Sequence, residues 1–244
     1  MHLLKIFLIA LIATSLLACS GKQHDPTAKW SAAKFYKKAK AQADSNNYEQ
    51  AIDFYESLES RFPFSQYATQ AQLDVAYAYY KYDEPDSAIA ALDRFLKLNP
   101  RHKGVEYAYY LKGVANFDRG SSFLDKFFSR DLANYDQVSV KAAYSAFSIL
   151  LERFPNSIYT ADARQRMVYL RNKMAESELS TAQYYFDRKA YVAVANRTQE
   201  IIKKYQGTPS TLVALQLLKK SYVGLGLDDL AMDTQRVIEA SYTE

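Results

Sequence analysis

One spacing constrains this chain more than any other feature. Ala39, Tyr48, Ala51, Tyr55, Leu58 and Pro63 are followed, each 37 residues later, by Ala76, Pro85, Ala88, Leu92, Phe95 and Pro100. A third copy reads Gly113, then Ala143, Phe147, Leu150 and Pro155, with 18 extra residues between its halves. Repetition at such a period marks a stacked array in which no unit buries its apolar side alone. Within each unit the apolar residues recur at helical spacing, and period-2 strand runs are absent. Small residues where two antiparallel helices cross let the backbones approach, and the aromatic that follows fills the groove to the next unit. A fourth unit uses Ala182 and Val194, with Tyr191 at the place of Tyr48. A fifth, from Leu212 to Tyr242, is the least regular, as a terminal unit should be.

This pattern of small, small, aromatic, apolar and proline resembles the tetratricopeptide repeat. It predicts an all-α, tetratricopeptide-like superhelix of about five helix pairs. The expected pairs are 30–44/48–60, 65–82/85–98, 104–118/138–153, 158–187/191–205 and 210–223/228–242. Pro63, Pro100, Pro155 and Pro209 are each expected just past a helix end. The repeats divide into an N-terminal group (30–118) and a C-terminal group (138–244). Residues 119–137 form an insertion within the third unit. Its Phe123, Leu124, Phe127 and Phe128 are expected to make an apolar turn that docks back on the array.

Ahead of the repeats, Ile6 to Leu17 is an uncharged apolar run of 12 residues behind Lys5. A spanning helix needs about 20 residues, so the run reads as the core of a signal peptide, residues 1–18. It ends in Leu16-Leu17-Ala18-Cys19, which resembles the lipobox of bacterial lipoproteins. The resemblance implies cleavage before Cys19 and acylation of Cys19. Ser20 is not the Asp that resembles an inner-membrane retention signal, which implies an outer-membrane, periplasmic-face address. Residues 19–29 then read as the lipidated Cys and a flexible polar tether. Two or three acyl chains hold stably where one does not.

Composition narrows the chemistry. The formal net charge of +4 is too even to argue for nucleic acid. A single Cys forbids an internal disulfide and a multi-Cys metal site, and His2, His24 and His102 are the only histidines. No phosphate loop, HExxH or GxSxG motif occurs. Asp83/Glu84 and Asp228/Asp229 fall between helices, where acidic groups favour the next helix N-terminus. No catalytic residue, metal or cofactor is expected, and a repeat array without a reactive constellation is a binding surface. By register, the first helices of units one to three present Tyr36, Lys40, Gln70, Leu73, Tyr77, Tyr80, Tyr107, Tyr110, Val114 and Phe117 to the concave groove. Five of these are tyrosines, which offer apolar area and a hydroxyl to an extended peptide.

Several strings resemble the BamD family of lipoproteins from the outer-membrane β-barrel assembly machinery. They include Ser60-Arg61-Phe62-Pro63-Phe64-Ser65-Gln66-Tyr67, Asp74-Val75-Ala76-Tyr77-Ala78-Tyr79-Tyr80-Lys81 and Tyr191-Val192-Ala193-Val194-Ala195-Asn196-Arg197. The resemblance implies that the N-terminal repeats receive the aromatic-ended C-terminal signal of unfolded barrel proteins. It implies too that the C-terminal repeats dock on the periplasmic domain of the BamA subunit, with companion lipoproteins also bound. Arg188, Arg197, Lys203 and Lys204 are the expected docking residues, Arg197 foremost. Rival readings are another lipidated repeat adaptor, such as a secretin pilotin, and a lipid-anchored cell-wall enzyme.

Overall fold

A computed structural model describes residues 25–119 and 137–242. Ten helices run in order through the described residues: α1 (Ala32–Asp44), α2 (Tyr48–Arg61), α3 (Ala68–Lys81), α4 (Pro85–Leu98), α5 (Val105–Asp118), α6 (Gln137–Arg153), α7 (Thr160–Asp187), α8 (Tyr191–Lys204), α9 (Pro209–Gly224) and α10 (Asp228–Tyr242). No strand occurs among the described residues. Each helix packs on its neighbours in sequence, giving five antiparallel pairs in a row. The pairs fall where the repeat spacing predicts them, including the long α7 of 28 residues. Signal peptide, Cys19 and the apolar turn Phe123 to Phe128 lie outside the described residues.

The repeat's small residues explain the packing. Ala39, Ala51, Ala76, Ala88, Ala143 and Ala182 are all wholly buried at helix crossings. Gly113 shows why nothing larger fits: a Cβ there would lie 2.4 Å from the Phe147 ring. The aromatics that follow, Tyr55, Phe95 and Phe147, are buried in the same seams.

The turn inside four of the five pairs is also a repeated device; that of the third lies outside the described residues. Asn46, Asp83, Lys189 and Gly226 all have φ between 58° and 72°. Each follows the first helix of its unit and closes a Schellman motif. Asn47 N–H donates to Gln42 O, Glu84 to Tyr79 O, Ala190 to Tyr185 O and Leu227 to Tyr222 O. Asp83 thus serves the end of α3, Glu84 stands at the N-cap of α4, and Asp228 and Asp229 stand in the first turn of α10. Pro209 corrects the sequence expectation as well. It occupies the first position of α9, where the missing N–H is no loss, and does not follow the end of α8 as a stop.

The lead-in to α1 is packed from Asp25 onward, so the stretch expected to be tether is shorter than 19–29. Arg61 at the end of α2 pairs with Asp25 at 2.7 Å and donates to Thr27 Oγ1 at 3.1 Å. The Trp30 ring sits 5.2 Å from Phe35 and 5.6 Å from Phe54, with Lys34 Nζ 4.4 Å above it.

Candidate peptide-binding face

The side expected to be concave carries α1, α3, α5 and α7. Tyrosines tie each of these helices to the next. Tyr36 on α1 donates to Asp74 Oδ2 on α3 at 2.8 Å, while Gln70 donates to the other carboxylate oxygen at 2.8 Å. Tyr80 on α3 donates to Asp118 at the end of α5 at 2.6 Å. Tyr110 on α5 donates to Asp162 on α7 at 3.0 Å, and Arg166 Nε donates to the same oxygen at 2.6 Å. Charge-assisted bonds of this kind are about twice as strong as neutral ones. Burial, then the neighbouring carboxylate, pushes the Tyr36, Tyr80 and Tyr110 phenols above their ordinary pKa, so they remain donors.

The five predicted tyrosines therefore divide into two sets. Tyr36, Tyr80 and Tyr110 spend their hydroxyls on the next unit. Tyr77 and Tyr107 do not. Tyr77 is 38% exposed. Tyr107 packs its ring 5.6 Å from Tyr159, and Tyr110 stacks on the same Tyr159 ring at 4.6 Å. Burial raises the Tyr107 phenol, with Tyr77 the next cause. Both tyrosines line a cavity of 360 Å³ together with Lys40, Asp44, Tyr55 and Asp74. Lys40 pairs with Asp44 at 3.3 Å, both largely exposed, so the pair is weak and open to exchange. The cavity combines two aromatic walls, two carboxylates and one ammonium, the inventory for holding a short extended peptide. Leu73 and Val114, expected in the groove, are instead buried in the seams between helices.

The basic residues of the C-terminal repeats do not share one face. Arg197 pairs with Glu178 on α7 at 2.9 Å. Lys204 lies on the same stripe of α8 and pairs with Glu200. Lys203 lies on another side, where it lines a 480 Å³ cavity with Ile202, Leu218 and Val237. Arg188, in the turn before α8, sits 3.5 Å over the Tyr184 ring and donates to Tyr184 O. What the charge pattern did not suggest is the apolar end of the array. Val223, Met232 and Val237 are each about half exposed there, and a 680 Å³ cavity opens beside Val223 and Met232.

Among the described residues no group of three His, Cys, Asp or Glu is placed to hold a metal ion. No described helix is long and apolar enough to cross a membrane.

A family profile described as YfiO, outer membrane lipoprotein, matches residues 28–237, nearly the whole array. The chain belongs to this family. Its relatives include the outer membrane protein assembly factor BamD of Neisseria meningitidis serogroup A, 45% identical over 98% of this chain and 91% of that protein. The BamD of Vibrio cholerae is 36% identical over 95% of this chain and 96% of that one. Among solved structures, a tetratricopeptide repeat protein from Parabacteroides merdae aligns over 90% of this chain and 69% of its own, with 15% identity and a TM-score of 0.44. The family match and the helix-pair geometry agree on what kind of molecule this is: a helical repeat scaffold of the outer-membrane assembly class. The segments that carried the resemblance in the sequence also carry the geometry, since Asp74, Tyr77 and Tyr80 belong to one string.

Proposed function

We propose that this chain is a lipid-anchored scaffold and receptor of the outer-membrane β-barrel assembly machinery, a reading supported by relatives named outer membrane protein assembly factor BamD. It is held by acyl chains on Cys19 at the periplasmic face of the outer membrane. Its N-terminal repeats receive the aromatic-ended C-terminal segment of unfolded barrel proteins. Its C-terminal repeats dock on the periplasmic domain of BamA, alongside companion lipoproteins, and no catalytic step is part of its work.

The observation that carries the receptor reading is the cavity beside Tyr77 and Tyr107. An aromatic side chain of the peptide packs between these rings, backbone N–H groups meet Asp74, and the terminal carboxylate displaces Asp44 from Lys40. The docking reading rests on Arg197, whose exposed pair with Glu178 contributes at most about 1 kcal/mol and yields readily to a partner carboxylate. Titration of a labelled C-terminal peptide and of the BamA periplasmic domain tests both. Tyr77→Ala weakens the peptide roughly 5- to 30-fold and spares the domain. Arg197→Glu does the reverse. Equal losses of both ligands in one variant, with the fold intact, refute two separate sites. Recovery of a secretin instead of BamA from solubilised envelopes refutes the assignment to this machinery.

A further inference from the structure

The positive charge of this chain is concentrated at one end. Between Lys22 and Asp44 stand six lysines and two aspartates, a surplus equal to the whole chain's +4. From Ser45 onward cations and anions nearly balance, 24 against 25. On α1, Phe35 and Ala39 enter the core and Tyr36 turns toward α3. Lys34, Lys37 and Lys38 share the remaining side at i, i+3 and i+4, and Lys29 precedes them; all four are exposed. That side is the free end of the described array, because among the described helices α1 packs on α2 and α3. No carboxylate pairs with these four lysines among the described residues. Asp25 is held by Arg61, Asp44 by Lys40, Glu59 by Arg94, and Glu56 accepts from Tyr79.

A terminal unit needs a polar outer side, and mixed charge supplies one without self-repulsion. A surface of one sign is favourable when an opposite surface faces it. The lead-in places such a surface close by. Arg61 and the Phe35–Phe54 seat of Trp30 fasten the chain from Asp25 onward, leaving five residues between Cys19 and the packed array. Five residues reach at most about 18 Å. If Cys19 carries the anchor, as proposed above, this end stays beside the membrane.

We propose that the face formed by Lys29, Lys34, Lys37 and Lys38 rests on the headgroups of anionic phospholipids. The acyl chains hold the protein on the membrane, and the lysines set its attitude. The array stands on its N-terminal end with the concave groove opening beside the surface.

Trp30 is the chain's only tryptophan and touches Lys34, so its fluorescence reports this end. The lipidated mature protein is reconstituted into vesicles bearing a dansyl headgroup label. One set is phosphatidylglycerol with phosphatidylethanolamine, the other phosphatidylcholine alone. Energy transfer from Trp30 is stronger in the anionic set, and the excess disappears at high salt. Lys29→Gln, Lys34→Gln, Lys37→Gln and Lys38→Gln together abolish the excess. The same charge loss at Lys81, Lys97, Lys103 and Lys220 does not. In a second arm the Cys19→Ala mature chain is floated with anionic vesicles, and its partition falls roughly five-fold for each of the four lysines neutralised. Equal transfer in both vesicle sets, or an excess that survives the four-lysine variant, overturns the proposal. Failure of the wild-type protein to float with phosphatidylcholine overturns the anchor instead, and the second arm still decides the lysine face.

Discussion

Removing a single hydroxyl from each groove tyrosine separates the two jobs these side chains do. In Tyr36→Phe, Tyr80→Phe and Tyr110→Phe the ring and its packing stay, and one hydrogen bond to an aspartate of the next unit goes. A hydrogen bond to a charged group contributes ~1.5–3 kcal/mol net, and these partly buried pairs belong at the lower end. For an array of this size each kilocalorie shifts the unfolding midpoint by ~2–4 °C, so each variant loses about 3–6 °C. Tyr77→Phe and Tyr107→Phe remove hydroxyls that bond no other described residue, and their midpoints stay where they were.

Peptide binding runs the other way. If Tyr77 and Tyr107 present free hydroxyls to an extended peptide, each Phe variant loses ~0.5–1.5 kcal/mol of binding, or roughly 2- to 12-fold in affinity. Far-ultraviolet circular dichroism melts and a fluorescence titration with one labelled C-terminal peptide read both quantities on the same five proteins. The reasoning is refuted if Tyr77→Phe lowers the midpoint as much as Tyr80→Phe. It is equally refuted if the three ladder variants weaken the peptide while melting like the wild type.

Gly113→Ala gains about 1 kcal/mol of helix propensity but drives a methyl into the buried Phe147 ring, an overpacking of ~1–3 kcal/mol, so it melts lower. Gly224→Ala meets the Tyr191 ring, which is only partly buried at the array's surface and swings aside, and it melts at or above the wild type. In alkali, the buried Tyr55 phenol and the partly buried Tyr36, Tyr80 and Tyr107 phenols resist ionisation that the unfolded chain undergoes near pH 10. Their contribution to stability is whole below that pH and is lost above it, and chemical denaturation at stepped pH shows a smaller loss in Tyr36→Phe. Cys19→Ala blocks acyl labelling and releases the protein from the outer-membrane fraction. Unchanged labelling removes the anchor.

The architecture was legible because it is written in one-dimensional spacing. A 37-residue offset fixes where small residues must recur, and those residues prove to be the wholly buried ones. Leu73 and Val114 were misplaced for a related reason. A repeat register says which way a position points on an average unit, but seam depth in a real unit decides whether an apolar side chain there is covered. The expected docking residues are grouped by charge, with Arg197 put foremost by its motif. Arg197 and Lys204 are seven apart and share a stripe of α8, while Lys203 turns to the other side of the same helix. The lead-in looked like tether because it is polar and contains Pro26, yet the Arg61 that fastens it lies 36 residues away from Asp25.

The aspartates of the ladder were the largest omission, and a signal for them existed. Tyr36 and Asp74 are 38 apart, and so are Tyr80 and Asp118. One residue beyond the repeat period is where a side chain on one first helix meets the next first helix across the groove. The Tyr110–Asp162 pair spans 52 residues: the 18 extra residues of the third unit lengthen the spacing from 38 to 56, which falls on Arg166, and Asp162 stands one helical turn before it, so the spacing shifts while the tie between first helices persists. This persistence bears on function. Each pair fixes the angle between successive units at the level of the groove floor, which keeps the wall carrying Tyr77 and Tyr107 in place before any ligand arrives. A preformed groove avoids ordering losses on binding, so a peptide needs few contacts to be held. The same reasoning predicts that Asp162→Asn, which keeps the shape but weakens both the Tyr110 and Arg166 bonds and lies outside the cavity of Tyr77 and Tyr107, weakens the peptide through looser units. It does so without touching the hydroxyls of Tyr77 and Tyr107.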